Sequence, residues 1–365
     1  MEITKGRKTK GTGQYTNETS ATEALFGPQE ASIPERVVTG VKTEGEQSWE
    51  QSLRPQNFDE FPGQHRVKEK LKVFVEAAKT RNEAIDHILL SGPPGLGKTT
   101  LATIIANAME VDIKTTSGPA LDKKGELAAI LTGLKANSVL FIDEIHRLNT
   151  VVEEYLYSAM EDFYIDIVTG DGLGSRSMKF QLAPFTLVGA TTRSGLLNAP
   201  FRDRFGIVER LNFYDRKSLQ QILERDAKIL NITISSEGAE EIARRSRGTP
   251  RVAIRLLKRV RDFAQVQSNG TIDQTLANSA LNLLGVDRFG LDMMDRRILT
   301  MIHEKYAGGP VGIDTIAAAM GEERDTIEEV YEPFLLQEGF LQKTPRGRMI
   351  TDYAKNHIFE SGAEV

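Results

Sequence analysis

Cysteine is absent from all 365 residues. That excludes disulfides and any zinc site built on thiolates, and it fits a reducing compartment. No stretch approaches the roughly 18 consecutive apolar residues that a membrane-spanning helix needs, so no membrane association is expected. Lys5, Arg7, Lys8 and Lys10 stand near the N-terminus without an apolar segment behind them. A secretory leader is therefore not expected, and the cytoplasm is the expected location. A guanine-reading N-K-x-D motif is missing, which argues against a small GTPase. A basic surplus is missing too: the formal net charge is −5, so any nucleic-acid-binding surface has to be local.

What is present is an ordinary globular composition, 40% hydrophobic and 27% charged, on a chain too long for one core. Residues 1–50 are rich in Gly, Thr, Ser and Glu without a sustained apolar period. They read as a disordered extension in which only 33–41 suits local packing. Over 66–81, Val67, Leu71, Phe74, Val75 and Ala78 recur at helical spacing. Ile88-Leu89-Leu90, Val139-Leu140-Phe141-Ile142 and the run 186–190 are continuous apolar segments, as in strands buried on both faces of a parallel sheet. Alternation of such strands with helices predicts an α/β domain over 51–212, its parallel sheet sandwiched by helices. Two alternating segments around a turn-rich stretch at 169–177 predict a β-hairpin over about 165–180.

From 213 to 285 the pattern is all-helical, with helices expected at 215–230, 236–247, 250–268 and 273–284. Residues 286–365 form a third unit. Short helices at 292–304, 313–320 and 324–338 precede Phe340-Leu341-Gln342-Lys343 and a Pro345-Arg346-Gly347 turn. Helix, turn, helix and hairpin in that order is a winged-helix arrangement. No internal repeat is visible.

Gly92-Pro93-Pro94-Gly95-Leu96-Gly97-Lys98-Thr99 matches G-x-x-x-x-G-K-T between a predicted strand and a predicted helix. Glycines let backbone N–H groups curl around phosphate oxygens, and the helix N-terminus adds partial positive charge. Lys98 would reach the β- and γ-phosphates and Thr99, followed by Thr100, would ligate Mg²⁺, so ATP and Mg²⁺ are the expected cofactors. Further on, the apolar run 139–142 ends in Asp143 and Glu144. Asp143 would hold the Mg²⁺ shell and Glu144 would orient the attacking water.

Thr191 and Thr192 end another buried run, which sets at least one hydroxyl beside the γ-phosphate. Arg204, in Phe201-Arg202-Asp203-Arg204-Phe205, has two readings: an arginine finger offered to a neighbouring subunit, or a surface salt bridge. Arg251 opens a helix of the all-helical unit, from which it could reach the γ-phosphate. Between Arg244 and Arg261 stand eight Lys or Arg residues and no carboxylate, which reads mostly as a solvated face.

The strings GPPGLGKTT, FIDEIHRL, FTLVGATTR, FRDRFGIV and RGTPRVA, in this order, resemble the AAA+ ATPases. LRPQNFDEFPGQ, YSAMEDFYIDIVTG, GEERDTIEEVYEPFLLQEGF and LQKTPRGRM narrow the resemblance to the RuvB family, over about 53–359. That resemblance implies homo-hexameric rings that drive double-stranded DNA through a Holliday junction held by RuvA, in a complex that also engages the RuvC resolvase. By motif it places Leu53, Arg54, Gly95, Gly97, Thr100, Glu161, Asp162 and Phe163 near the nucleotide. Tyr214 and Arg251 would close the pocket from the lid, and Arg204 would be the finger. Arg324, Lys343, Arg346 and Arg348 would face DNA. Lys343 stands where the family usually has arginine; lysine keeps the charge but loses the bidentate fork. Met178 and Phe180 on the hairpin have two readings, core packing or docking of RuvA.

Two other functions compete with a DNA translocase. A clamp-loader-like switch shares the phosphate loop, the acid pair and the finger, but the basic winged-helix tip favours the translocase. A nucleotide-gated binder without turnover is disfavoured by the presence of both Glu144 and Arg204.

Overall fold

The computed structural model describes Val38, residues 52–169 and residues 176–360. The rest of the N-terminal extension, the hairpin turn at 170–175 and residues 361–365 lie outside the described residues. Val38 is buried and joins the apolar cluster that includes Val67, Leu71 and Val75.

Eleven strands are numbered in chain order among the described residues. The central sheet holds β1 (Ile88–Ser91), β2 (Ile113–Ser117), β3 (Val139–Asp143), β6 (Thr186–Thr191) and β7 (Ile207–Arg210), all parallel, in the order β2-β3-β6-β1-β7. The continuous apolar runs became the inner strands: β1 and β6 are buried along their whole length. The edge strand β7 alternates instead, with Ile207 and Glu209 inward and Val208 and Arg210 outward. Helices His65–Arg81 and Lys98–Met109 cover one face, and Lys124–Thr132 with Thr150–Glu161 cover the other. Between these layers a fully buried Phe or Leu contributes about 1.5–3 kcal/mol. The hairpin β4 (Tyr164–Thr169) and β5 (Arg176–Gln181) is antiparallel and stands apart from this sheet.

The chain order of the sheet decides the site. Strand β6 is inserted between β1, which leads into the phosphate loop, and β3, which ends in the acid pair. Parallel strands bring all three C-terminal ends to one edge, the place where open α/β sheets bind ligands.

Four helices follow: Arg216–Ile229, Ser236–Arg244, Pro250–Gln267 and Gln274–Leu283. Three start on a side chain that accepts the N-terminal amide: Asp215 from Ser218 N at 2.7 Å, Ser235 from Gly238 N at 3.0 Å and Asp273 from Leu276 N at 2.8 Å. The short parallel pair β8 (Thr233–Ile234) and β9 (Thr271–Ile272), unanticipated in the sequence, ties two of their connections together. The lid continues the apolar cluster of the large domain through Leu219, Leu223, Leu256 and Leu257.

The third unit has its own core, running from Leu291 to Ala354. Helices Met293–Tyr306 and Ile313–Met320 lead to a third helical segment made of Arg324–Thr326, a π-helical turn Ile327–Tyr331 and Glu332–Gln337. Strands β10 (Leu341–Thr344) and β11 (Gly347–Ile350) form the wing.

The basic run of the lid corrects an expectation. Arg245, Arg247 and Arg255 are buried, so this is not mainly a solvated face. Arg245 bonds the Val286 carbonyl at 2.7 Å and Asn282 at 2.6 Å. Arg247 pairs with Asp295, lies 3.2 Å from Asp292, and donates to the Gly290 carbonyl at 2.8 Å. These guanidiniums have many donors in a rigid fork, which suits them to the carbonyls and carboxylates where the lid meets the third unit.

Candidate functional site

A cleft of about 400 Å³ opens at the C-terminal edge of the sheet, between the large domain and the lid. Its floor is the loop between β1 and the helix Lys98–Met109. Gly92 (φ 137°) and Gly97 (φ 93°) hold left-handed backbone there. A Cβ on Gly92 would stand 2.5 Å from the Leu211 carbonyl, and one on Gly97 would press on the Phe61 ring at 3.1 Å. Glycine is required at both. Lys98 is buried and donates to the Gly92 and Pro93 carbonyls at 2.7 and 2.8 Å. Burial pushes its ammonium down to about 8, partly countered by Asp143 and Glu144.

Asp143 and Glu144 line the same cleft. Glu144 has left-handed backbone (φ 47°), a strained state for a non-glycine residue and one that clusters at functional positions. Its amide donates to Asp143 Oδ1 at 3.0 Å, and its carboxylate accepts from Arg147 at 3.0 Å.

The two threonines have different surroundings. Thr191 is fully buried, its hydroxyl 3.0 Å from His146 Nδ1 and accepting from the Arg193 amide at 3.0 Å. Thr192 lines the cleft, and its hydroxyl is buried with no hydrogen-bond partner. An unsatisfied buried hydroxyl facing a cleft is suited to an incoming acceptor.

Leu53, Arg54, Gly95, Gly97, Thr99, Thr100, Tyr214 and Arg251 all line the cleft, as their motifs imply. Tyr214 donates its hydroxyl to the Leu96 carbonyl at 3.2 Å, tying the start of the lid to the phosphate loop. The Arg251 amide reaches the Gly95 carbonyl at 3.4 Å. Thr99 and Asp143 supply a hydroxyl and a carboxylate, the hard oxygen donors that Mg²⁺ takes together with phosphate and water.

Glu161, Asp162, Phe163 and Arg204 are not brought into the cleft of their own chain. Glu161 ends a helix and pairs with Arg204 at 3.1 Å. Asp162 caps that helix, and Phe163 packs on the Phe185 ring. Arg204 also donates to the Pro200 carbonyl at 2.5 Å and lies over the Tyr157 ring at 4.2 Å.

The DNA-facing expectations divide. Arg324, Lys343 and Arg346 are exposed. Arg348 turns inward and is buried, bonding Glu332 at 2.8 Å and Glu328 at 3.1 Å. Lys343 stands directly opposite Arg348 in the wing, so the two side chains share one face of the ribbon; Arg348 is held down on the two carboxylates, while the exposed Lys343 ammonium lies 4.0 Å from Glu332. Met178 and Phe180 are 62% and 43% exposed, so they are not core residues of this chain. Two apart on β5, they share one face of the hairpin.

Sequence reasoning missed two charged residues that line the site, Arg225 and Glu329, the Arg193 that holds one of them, and the apolar lining of Phe61, Ile222 and Ile254. Arg225 lines the cleft and donates to the Leu53 and Glu60 carbonyls at 2.7 and 2.8 Å. Glu329, from the third unit, also lines it. Arg193 holds Glu329 at 2.6 Å and Asp325 at 3.1 Å. Only the position of Arg193 beside the two threonines hinted at such a role; Glu329 gave no local signal.

A phosphate loop and an acid pair flanking a polar strand end, under a helical lid, define a P-loop ATPase of the AAA+ class, here joined to a winged-helix unit. Three family models match the chain in sequence: the Holliday junction DNA helicase RuvB P-loop domain over 53–211, the RuvB AAA lid domain over 214–287 and the RuvB C-terminal winged helix domain over 288–359. The Holliday junction branch migration complex subunit RuvB of Bdellovibrio bacteriovorus is 72% identical over 323 residues, 88% of this chain and 98% of that relative. The Myxococcus xanthus protein of the same name is 63% identical over 302 residues, covering 83% of this chain and 88% of the relative. A solved structure of Thermotoga maritima RuvB, described as the Holliday junction branch migration motor, superposes with a TM-score of 0.77 at 54% identity. It covers 84% of this chain and 98% of its own. The chain belongs to the RuvB family.

Proposed function

We propose that this chain is an ATP-hydrolysing motor that drives branch migration of Holliday junctions. The observation that carries the reading is the convergence of Lys98, Thr99, Asp143, Glu144, Thr192 and Arg251 on one cleft between domains, in a chain whose relatives are named for that activity. The winged-helix unit and those names favour a motor over a clamp-loader-like switch.

Lys98 and the loop amides hold the triphosphate, and Leu53, Arg54 and Tyr214 close around the base. Thr99 and Asp143 are the residues suited to Mg²⁺, which neutralises charge on the phosphates when bound. Glu144 orients the attacking water, which requires its carboxylate to leave Arg147. Thr192, whose hydroxyl is unpartnered, is the sensor of the γ-phosphate, and Thr191 positions His146. Arg204, with Glu161, Asp162 and Phe163 beside it, acts on the neighbouring subunit of a homo-hexamer, which agrees with its position outside its own cleft. Arg251 reports nucleotide state to the lid.

The wing contacts duplex phosphates through Lys343 and Arg346, with Arg324 on the helix before it; phosphate contacts position without reading sequence. Met178 and Phe180 dock RuvA, and the RuvC resolvase joins the same junction complex. Work on cellular DNA of this kind belongs in the cytoplasm. Glu144→Gln tests the core of the reading. It is expected to retain ATP while losing at least about a hundredfold in hydrolysis, and unchanged hydrolysis would remove Glu144 from its role. Met178→Ser with Phe180→Ser is expected to abolish RuvA binding and leave ATP hydrolysis intact.

A further inference from the structure

Glu329 is a carboxylate of the winged-helix unit in a cleft otherwise suited to phosphate. It lies on the π-helical turn Ile327–Tyr331, a local distortion found mostly at functional positions. Arg193, directly after the sensor Thr192, holds it at 2.6 Å and holds Asp325 at 3.1 Å. Burial pushes the Glu329 carboxyl up, Arg193 opposes that, and Glu144 adds to it. Glu329 therefore shares its field with the groups that handle the γ-phosphate.

The same helical segment reaches the wing. Asp325 and Glu329, spaced i and i+4, face Arg193, whereas Glu328 and Glu332 face Arg348 of β11. One side of the segment is thus bonded to the ATP cleft and the other to the DNA-facing hairpin.

We propose that Glu329 discriminates ATP from ADP by competing with the γ-phosphate for the positive field of the cleft, so that ATP binding expels it and frees the winged helix from Arg193. The inference rests on the cleft being the ATP site. A γ-phosphate beside Lys98 and Thr192 brings negative charge towards a carboxylate already facing Glu144. Like charges in a partly desolvated cleft repel far more than in water. ADP lacks that group and leaves the Arg193–Glu329 pair in place. Glu329 is thus a specificity-determining residue that links γ-phosphate occupancy directly to the DNA-binding unit, in parallel with the lid.

The test compares MgATPγS and MgADP affinities of the full chain and of Glu329→Gln, alongside hydrogen exchange of 324–331 in the wild type. Glu329→Gln is expected to tighten MgATPγS about tenfold while changing MgADP by about twofold or less. MgATPγS, and not MgADP, is expected to speed amide exchange over 324–331 in the wild type. Equal shifts for both nucleotides, or exchange indifferent to the third phosphate, would overturn the proposal while leaving the cleft as the ATP site. If the wild type binds neither nucleotide, the site assignment falls and this inference with it.

Discussion

Arg204 lies 3.1 Å from Glu161 of its own chain and outside its own ATP cleft. Of the two readings of Arg204, the pair shows the salt bridge, and the finger offered to a neighbouring subunit stays the proposal. On the proposed assignment, the guanidinium gives up this pair, its bond to the Pro200 carbonyl and its place over the Tyr157 ring to reach a neighbour's phosphates. Arg204→Ala is expected to lower ATP turnover about a thousandfold or more while sparing nucleotide binding. Mixing it with a Lys98→Ala subunit is expected to restore part of the turnover, because some interfaces then combine an intact Lys98 with an intact Arg204. No recovery in mixtures would place the arginine's action within one chain.

Lys98 makes nucleotide binding depend on pH. Burial holds its ammonium at about 8, below the ordinary lysine range. A triphosphate favours the charged form, so binding above that pH takes up a proton. ATP affinity is expected to be flat below about pH 7.5 and to fall by up to about tenfold per pH unit above 8. Calorimetry in two buffers of different ionisation enthalpy measures the proton uptake directly. For the nucleotide-free fold the sign is opposite. The folded state binds fewer protons than the unfolded state between about 8 and 10.4, so this group's contribution to stability rises with pH there.

Arg346 and Arg348 sit close together in the wing and are expected to behave differently on substitution. Arg346 is exposed, so Arg346→Ala should weaken duplex binding and reduce its salt dependence by about one counterion. Arg348 is buried against Glu332 and Glu328. Arg348→Ala leaves Glu332 buried without its partner and is expected to cost about 3–5 kcal/mol of stability in that unit. Equal thermal stability of the two variants would contradict this assignment.

Most of the architecture was legible because its signals are local. Continuous apolar runs marked β1, β3 and β6, and Asp215, Ser235 and Asp273 stand at the helix starts that they cap. Strand β2 was missed because its residues Lys114, Thr115 and Thr116 are polar at a sheet edge, and β7 because only half of it is buried. The phosphate loop, acid pair and threonines were legible from spacing. Arg225 and Glu329 were not, since each reaches the cleft from a separate domain and only tertiary packing brings it there. The basic run at 244–261 misled because its partners lie outside it: Arg244 and Arg245 pair with Glu241 just before the run, and Arg247 with Asp292 and Asp295 beyond the lid.

Arg247 carries the stability consequence of that run. Burial holds the Asp295 carboxyl well above the ordinary range, Arg247 opposing and Asp292 adding to the rise. Arg247→Met removes the opposing charge and is expected to destabilise by about 3–5 kcal/mol near neutral pH. A carboxyl raised in the folded state stabilises at low pH and loses that contribution as pH rises through its folded value. Part of the loss is therefore expected to be recovered near pH 5, as read by urea unfolding at the two pH values. A deficit that does not change with pH would locate the damage in packing instead.

The most direct measurement is branch migration of a four-way DNA junction by the purified chain with RuvA, with ATP hydrolysis followed in parallel. ATP-dependent processing of the junction, with hydrolysis stimulated by duplex DNA and both lost in Glu144→Gln, is the expected result. Hydrolysis that proceeds without moving the junction, however much RuvA is supplied, would contradict the assignment of this chain as a branch-migration motor.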